Sequence, residues 1–198
     1  VNMLADTQYK AQSENYVLVV ERSNKLEEEK KSIIDFINEI ESKKRAAFLE
    51  ALDSINEAFN KYFNLMVGGS AWLEIENKED PFKGGVNIVV HFPNKYPRPV
   101  YGCSGGEKSV AALCFIFALQ HLKPAPFYLF DEIDAHLDPV NVQNYARLLQ
   151  LRSKDSQYIV ISLKDLIASK ADKVIGVFMK NGRTRVLDAQ QVISKGRS

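Results

Sequence analysis

The first 66 residues constrain the fold of this chain more than any other stretch, because they contain neither glycine nor proline. A run of that length without either breaker indicates a long helix. Four apolar residues within it recur every seven positions: Val19, Leu26, Ile33 and Ile40. That spacing is typical of a coiled-coil seam, so we predict a protruding coiled-coil neck helix over residues 1–45 that pairs with a segment outside this sequence. The alternative is an ordinary amphipathic helix packed on the chain's own core.

A second apolar register follows the first after an offset of eight residues. Its members alternate in steps of four and three: Phe48, Leu52, Ile55, Phe59, Tyr62 and Met66. These bulkier side chains predict that the end of the helix docks on a globular domain, which we place at residues 46–198. Gly68 and Gly69 are expected to end the helix in the manner of a glycine C-cap.

Composition excludes some classes of protein. The net charge is +1, from 26 basic and 25 acidic residues, so the chain as a whole has no strong attraction to nucleic acid or anionic membranes. The basic run at residues 43–45 either touches DNA or forms a solvated helix face among neighbouring acids. Two cysteines, Cys103 and Cys114, are too few for a disulfide framework and favour a reducing intracellular compartment. No apolar run reaches about 18 residues, so no transmembrane helix is predicted.

Strands alternate with helices in the second half of the chain, which predicts an α/β layer structure. We expect strands over residues 71–76, 85–91, 124–131, 156–163, 173–179 and 183–188. Helices are expected over residues 107–123, 139–153 and 189–195. Asp138 and Pro139 supply a cap and a first-turn proline for the second of these helices, and Asn181-Gly182 predicts a tight hairpin.

Two acids follow the apolar run FYLF, which reads as a buried strand of a parallel sheet. Asp131 and Glu132 therefore lie at the C-terminal edge of the strand, where ligands bind in open α/β sheets. One carboxylate can hold Mg²⁺ and the other can polarise an attacking water. The alternative is that one acid caps the next turn while the other is solvated.

The sequence SGGE, residues 104–107, directly precedes a predicted helix. Its glycines let backbone N–H groups turn toward an anion, and the helix dipole adds partial positive charge. The alternative, compatible with the first, is a capped helix start in which Ser104 is the N-cap and Glu107 completes a capping box. It is not a phosphate loop, since Glu107 separates the glycines from Lys108, and G-x-x-x-x-G-K-[ST] occurs nowhere in the chain.

The order of these motifs resembles the ATPase cassettes of the ABC superfamily: signature motif, Walker B strand and D-loop. Within that superfamily the chain resembles the SMC (structural maintenance of chromosomes) family, from about residue 12 to residue 188. Four stretches carry the resemblance: GGSAWLEIENKEDPFKGGV, SGGEKSVAAL, KPAPFYLFDEIDAHLD and ADKVIGV. It implies the C-terminal half of an SMC head, an α/β lobe with a mostly parallel sheet and flanking helices, joined to the base of a coiled coil.

The resemblance also implies roles for individual residues. Asp131 would act on Mg²⁺, Glu132 would be the general base that orients the hydrolytic water, and Asp138 would lie in the D-loop between the two sites of a head dimer. The signature residues that would contact the γ-phosphate of ATP held by a second head are Ser104, Gly105, Gly106 and Glu107. The phosphate loop would come from the N-terminal half of the same head, so this chain alone would be inactive.

The implied function is an ATPase in which ATP joins two heads and hydrolysis separates them, driving chromosome condensation, segregation or cohesion. The implied partners are the N-terminal half of the same head, a second head and the winged-helix domain of a kleisin subunit. The surface for the kleisin would lie between Arg183 and Ser194. DNA would be bound through the whole complex, and no membrane would be involved. The implied location is cytoplasmic and chromosome-associated, or nuclear in a eukaryote. The alternatives are an SMC-like DNA-repair ATPase and a module that chiefly docks a kleisin.

Two positions depart from the family pattern. Cys103 stands where a leucine usually precedes SGGE, and a small apolar thiol can fill much the same pocket. Many ABC ATPases carry a histidine just after the strand that follows Walker B, whereas this chain has Ser162, Leu163 and Lys164 there. If Ser162 or Lys164 takes part in the reaction, it does so through a different contact.

Overall fold

The computed structural model describes residues 5–188, and the chain divides into two compact units, Val1–Glu50 and Ala51–Ser198. The predicted long helix is confirmed as α1, Ala5–Val67. In the first unit, the four residues of the predicted seam are all exposed, from Ile40 at 47% to Val19 at 62%. An exposed apolar row of this kind is what an unpartnered coiled-coil seam presents.

The end of α1 belongs to the core of the second unit, as its bulkier apolar register predicts. Its buried residues are Ala58, Phe59, Tyr62, Phe63 and Met66. The side chains of Asn56 and Asn60 accept hydrogen bonds from the backbone N–H groups of Leu73 and Ala71, at 2.9 and 3.1 Å. These bonds fasten the first strand to the helix at alternate residues, so its inward side chains meet the apolar face of α1.

The helix ends at Gly68, which adopts φ +70° and donates its N–H to the carbonyl of Asn64 at 2.8 Å. This is the predicted glycine C-cap. An antiparallel sheet follows, ordered β1-β2-β3, from β1 (Ser70–Ile75), β2 (Val86–His91) and the short β3 (Arg98–Pro99). A 3-10 turn, Val100–Gly102, then leads into α2. The sequence predicted β1 and β2 but not β3.

The remaining elements follow in the predicted order, with the addition of a short helix, α4. They are α2 (Gly105–Leu122), β4 (Phe127–Asp131), α3 (Pro139–Arg152), β5 (Gln157–Ile161), α4 (Asp165–Ala168), β6 (Ile175–Lys180) and β7 (Arg183–Asp188). Asn181 and Gly182 both have positive φ, which confirms the tight β6–β7 hairpin. The predicted closing helix, residues 189–195, lies outside the described residues.

The predicted mostly parallel sheet is not found within residues 5–188. Only β4 and β5 pair in parallel, and the other three strand pairs are antiparallel. Nor is β4 buried on both faces: Phe130 is 8% exposed, whereas Phe127 and Leu129 are 58% and 63% exposed. The apolar run predicts burial on both faces, but within the described chain the core covers only the Phe130 face of the β4–β5 pair.

Gly69 provides a test of this packing. A Cβ built on Gly69 would lie 2.2 Å from the carbonyl oxygen of His91, which is backbone and cannot swing away. Gly69→Ala should therefore lower the free energy of unfolding by about 2 kcal/mol or more. Urea denaturation followed by circular dichroism measures the change.

Gly102→Ala is the matched control, because a Cβ at Gly102 would meet nothing within 4 Å. Its effect should stay within about 0.5 kcal/mol. Equal stabilities of the two variants would contradict the close approach of Gly69 to β2.

Candidate functional site

The N-terminus of α2 is organised by the carboxylate of Glu107. Its Oε2 accepts hydrogen bonds from the backbone N–H and from the hydroxyl of Ser104, each at 2.9 Å. Ser104 is the N-cap, and the carboxylate half of the predicted capping box is therefore present. The SGGE sequence thus begins α2 as a rigid, capped end.

The other oxygen of Glu107 faces two cations that the sequence did not predict at this site. Oε1 accepts from Nζ of Lys95 at 2.8 Å and from Nη2 of Arg98 at 3.2 Å, and the side chain of Glu107 is 14% exposed. The Lys95 hydrogen bond first, and then the Ser104 N–H, lower the pKa of the Glu107 carboxyl from 4.5 to about 2. Glu107 is therefore charged at neutral pH, and both of its oxygens are engaged.

Three residues of the SGGE sequence, Ser104, Gly106 and Glu107, lie with Asp138 around one surface depression of about 320 Å³. Its polar lining residues include Ser104, Gly106, His136 and Asp138. A Cβ on Gly106 would lie 3.5 Å from the carbonyl oxygen of His136, whereas a Cβ on Gly105 would meet nothing within 4 Å. The backbone N–H groups in the first turn of α2 have no carbonyl within the helix to donate to, so they can donate to an anion. This surface therefore fits a phosphate.

Asp138 also caps α3, as predicted. Its Oδ1 accepts from the N–H of Asn141 at 2.8 Å, and its Oδ2 accepts from the side-chain amide of the same residue at 2.9 Å. Pro139 occupies the first turn. The carboxylate of Asp138 therefore fixes the start of α3 beside the depression.

Asp131 and Glu132 lie together at a different point, the C-terminal end of β4, and both are exposed. Glu132 donates its N–H to the carbonyl of Ile161 at 2.9 Å, although its φ of +47° is in the left-handed region. For a residue other than glycine this conformation costs on the order of 1 kcal/mol, and such outliers cluster at functional sites. The chain thus turns sharply between the two carboxylates.

The donor set at this end of β4 fits Mg²⁺. Mg²⁺ is commonly held by one or two carboxylates together with substrate phosphates, and Asp131 offers such a carboxylate in an exposed position. Within residues 5–188, no cluster of three or more His, Cys, Asp or Glu side chains is arranged to hold a metal. A site of this kind needs only Asp131 from this chain, provided that phosphate and other ligands complete it.

Ser162 and Lys164, which directly follow β5, both contact the segment that follows Glu132. The Ser162 hydroxyl donates to Oδ2 of Asp134 at 2.6 Å, and Nζ of Lys164 donates to the carbonyl of Leu137 at 3.0 Å. Asp134 is 2% exposed. Sequence reasoning missed Asp134 along with Lys95 and Arg98, because no local spacing links them to their partners.

Cys103 is buried, 7% exposed, and belongs to the hydrophobic core beside the start of α2. Its thiol lies 3.9 Å from the carbonyl oxygen of Pro99. It fills an apolar position, as expected of a small thiol in place of leucine. In the described part of the chain, residues 5–188, no helix combines the length and the hydropathy required for a membrane span.

Comparison with known proteins places this geometry in a family. The family model described as "RecF/RecN/SMC N terminal domain" matches residues 2–185. The chain is 47% identical over 188 residues to the chromosome partition protein Smc of Pyrococcus furiosus and 46% identical over 167 residues to that of Aquifex aeolicus. These alignments cover 94% and 84% of the chain, which spans only 16% and 14% of those two relatives.

Solved structures give the same result. A Smc head domain with a coiled coil and joint from Pyrococcus yayanosii matches with a TM-score of 0.90 at 45% identity, over 100% of this chain and 40% of that one. A Pyrococcus furiosus Smc head bound to the C-terminal domain of ScpA matches with a TM-score of 0.87 at 44% identity, over 96% and 50%. A structure from work on the ATP-driven dimerization and DNA stimulated activation of SMC ATPases matches with a TM-score of 0.68 at 42% identity. The match covers 77% of this chain and 97% of that one.

The acid sensitivity of Glu107 tests the electrostatics of the α2 terminus. Because its folded pKa is about 2 against 4.5 ordinarily, the charged carboxylate stabilises the fold above pH 4.5, and this contribution is lost as the pH falls toward 2. Compared with Glu107→Gln, the unaltered protein should be more stable at pH 7 by on the order of 1–2 kcal/mol, since solvent partly screens the exposed Lys95. Urea unfolding at several pH values measures the difference.

The difference between the two proteins should narrow between pH 4.5 and pH 2, because the unfolded chain binds a proton at this carboxyl while the folded chain still keeps it charged. Lys108→Met is a suitable control, because Lys108 is the next residue along and is exposed. A difference that stays constant over this range would contradict the charged state of Glu107.

Proposed function

We propose that this chain, which belongs to the RecF/RecN/SMC N terminal domain family, forms the C-terminal half of the ATPase head of an SMC protein that organises chromosomes. Its fold is that of the Smc head domain, mixed α/β with a long helix. Residues 1–45 would be the coiled-coil neck and residues 46–198 the C-terminal lobe. The relatives from Pyrococcus furiosus and Aquifex aeolicus, which match over most of the chain, are chromosome partition proteins, and this favours the chromosome-organising branch over a DNA-repair ATPase.

The observation that carries the proposal is the exposed apolar face of the β4–β5 pair. Its residues are Phe127 at 58%, Leu129 at 63%, Ile159 at 45% and Ile161 at 49% exposure. An apolar face on a parallel strand pair requires a covering layer. The strand that bears this face ends at Asp131, directly before Glu132, and the 198 residues contain no G-x-x-x-x-G-K-[ST] loop to hold phosphate beside these two acids. An N-terminal lobe that carries such a loop would supply both.

The proposed reaction uses the two carboxylates differently. Asp131 would hold Mg²⁺, and the bound ion would neutralise charge on the phosphate oxygens. Glu132 would accept a hydrogen bond from a water aligned with the γ-phosphate and take its proton as the oxygen bonds to phosphorus and the bond to ADP breaks. Successive side chains along a strand point to opposite sides, so two neighbouring carboxylates at its end suit these two tasks.

The depression lined by Ser104, Gly106 and Asp138 would receive the γ-phosphate of ATP bound to a second head. Gly105 and Gly106 allow close backbone approach, and the Ser104 hydroxyl could turn from Glu107 to donate to a phosphate oxygen. Glu107 would contribute through its backbone N–H, since its carboxylate is already bound by three neighbours. Each motif would therefore serve a different nucleotide of the head dimer.

The proposed partners follow from the same relatives. A second SMC head would close on ATP, in keeping with the ATP-driven dimerization of the SMC ATPases that one similar structure concerns. A kleisin winged-helix domain would dock on this lobe, since a Pyrococcus furiosus Smc head was solved with the C-terminal domain of ScpA. The surface predicted for that contact includes β7, while its continuation to Ser194 lies outside the described residues. DNA would be enclosed by the whole complex.

Binding of ATP tests whether the site is split between two halves. The isolated chain should bind labelled ATP only weakly, because its backbone offers no phosphate loop. Addition of the N-terminal half of the head should restore tight binding, measured by equilibrium titration in the presence of Mg²⁺. Sub-micromolar binding by the chain alone would overturn the split site.

Glu132→Gln in the complete head tests the assignment of the base. The amide keeps the size of the side chain but cannot accept the water proton, so ATP should bind normally while hydrolysis falls by roughly 100-fold or more. Heads should then accumulate as ATP-bound dimers, visible by gel filtration. Asp138→Asn is a useful comparison, since it alters the D-loop cap and leaves the base intact. Monomers alone, from a Glu132→Gln head that has bound ATP, would count against the assignment.

A further inference from the structure

The segment Glu132–Asp138 joins the proposed base to the D-loop. It begins with the left-handed residue Glu132 and is held internally by two turns, in which Ala135 N–H donates to Glu132 O at 3.0 Å and Leu137 N–H donates to Asp134 O at 3.1 Å. It has no strand or helix ladder of its own. Its conformation therefore depends on contacts with its neighbours.

Those contacts come from the last residue of β5 and from the residues directly after it. Ile161 accepts the N–H of Glu132 at 2.9 Å, Ser162 donates to the buried carboxylate of Asp134 at 2.6 Å, and Lys164 donates to the carbonyl of Leu137 at 3.0 Å. The connecting segment is extended at Lys164, with φ −99° and ψ 116°, and Leu163 points outward at 88% exposure. The side chains of Ser162 and Lys164 therefore reach the same loop.

The only proton of the Ser162 hydroxyl is already donated in this arrangement. It donates its single proton to Oδ2 of Asp134 and accepts the backbone N–H of Lys164 at 3.0 Å. A serine has one O–H to donate, so Ser162 cannot also donate to a phosphate without releasing Asp134. A buried carboxylate that loses such a donor is strongly disfavoured, which makes that exchange costly.

The ammonium of Lys164 anchors the other end of the loop. Its hydrogen bond to Leu137 O is charge-assisted and partly buried, and the Leu137 side chain is itself buried in the core. Leu137 directly precedes Asp138, whose carboxylate caps α3. The carbonyl of His136, one residue earlier, lies against Gly106 of the SGGE sequence. Lys164 therefore holds the part of the loop that borders the proposed γ-phosphate surface.

We propose that Ser162 and Lys164 are positioning residues for ATP hydrolysis, which hold the loop from Glu132 to Asp138 in the conformation that the reaction needs. The proposal rests on the proposed ATPase function. Ser162 acts through Asp134 and sets the position of Glu132, while Lys164 acts through Leu137 and sets the position of Asp138. Neither touches the nucleotide, in contrast with a histidine that contacts the γ-phosphate.

The test uses the complete ATPase, with both halves of its head, and the variants Ser162→Ala, Lys164→Met and Lys164→Arg. Ser162→Ala and Lys164→Met should each lower kcat by roughly tenfold, since each loses a hydrogen bond to a charged group. KM for ATP should change by less than about twofold, because no contact with ATP is removed. Lys164→Arg, which keeps a charged donor, should recover part of the loss.

Lys170→Met is the matched control, because Lys170 is an exposed lysine that also follows β5 in the chain. This variant should leave kcat unchanged. The amide hydrogen exchange of residues 132–138 gives a second measurement that does not require hydrolysis. Exchange should become faster in Ser162→Ala and in Lys164→Met but not in the control. Thermal unfolding of each variant verifies that the head is folded.

The outcomes separate the two proposals. If the unaltered complete head does not hydrolyse ATP, the proposed function fails, and the exchange experiment still decides whether these residues hold the loop. If it hydrolyses ATP and both variants retain full kcat, the positioning inference alone is overturned. A raised KM with an unchanged kcat would also overturn it, because that result indicates a direct phosphate contact. The double variant, Ser162→Ala with Lys164→Met, should lose less kcat than the product of the two single losses, since both residues hold one loop.

Discussion

The ring of Phe117 connects most of the second unit, and the placement of both motifs depends on it. This fully buried side chain in α2 packs against Tyr62, Phe130, Tyr145 and Tyr158, with ring centroids between 5.7 and 6.4 Å apart. Each aromatic pair contributes about 0.5–1.5 kcal/mol beyond burial alone. Because α1, β4, α3 and β5 all meet at this ring, the start of α2 and the end of β4 are held by the same core.

Electrostatics then decide what the start of α2 can accept. A carboxylate beside a proposed phosphate site would repel the ligand, and Glu107 remains charged at neutral pH. Lys95 and Arg98 offset that charge while the carboxylate caps Ser104. The two cations outweigh the single carboxylate at this helix end, so the N–H groups and dipole of α2 can favour an anion.

The exposed face of the β4–β5 pair and the two acids Asp131 and Glu132 at the end of β4 require the same missing partner. A continuous apolar run indicates a strand buried on both faces, yet the described chain covers only one of them. The uncovered face belongs to the strand that ends in Asp131 and Glu132. In the proposed head, the lobe that completes the core would also bring the phosphate loop, so folding and catalysis would depend on the same contact.

The sequence by itself determined the features that depend on neighbouring residues: the helix that ends at Gly68, the capped start of α2, the cap of α3 by Asp138, and the strand that ends in Asp131 and Glu132. Periodicity, capping and turn chemistry act within a few residues, so they can be read locally. Only the tertiary structure decided that β4 pairs with β5, that Lys95 binds Glu107, and that Ser162 and Lys164 hold the loop after Glu132. Those last contacts join residues 27 or 28 positions apart, and no local pattern specifies which distant donor reaches which acceptor.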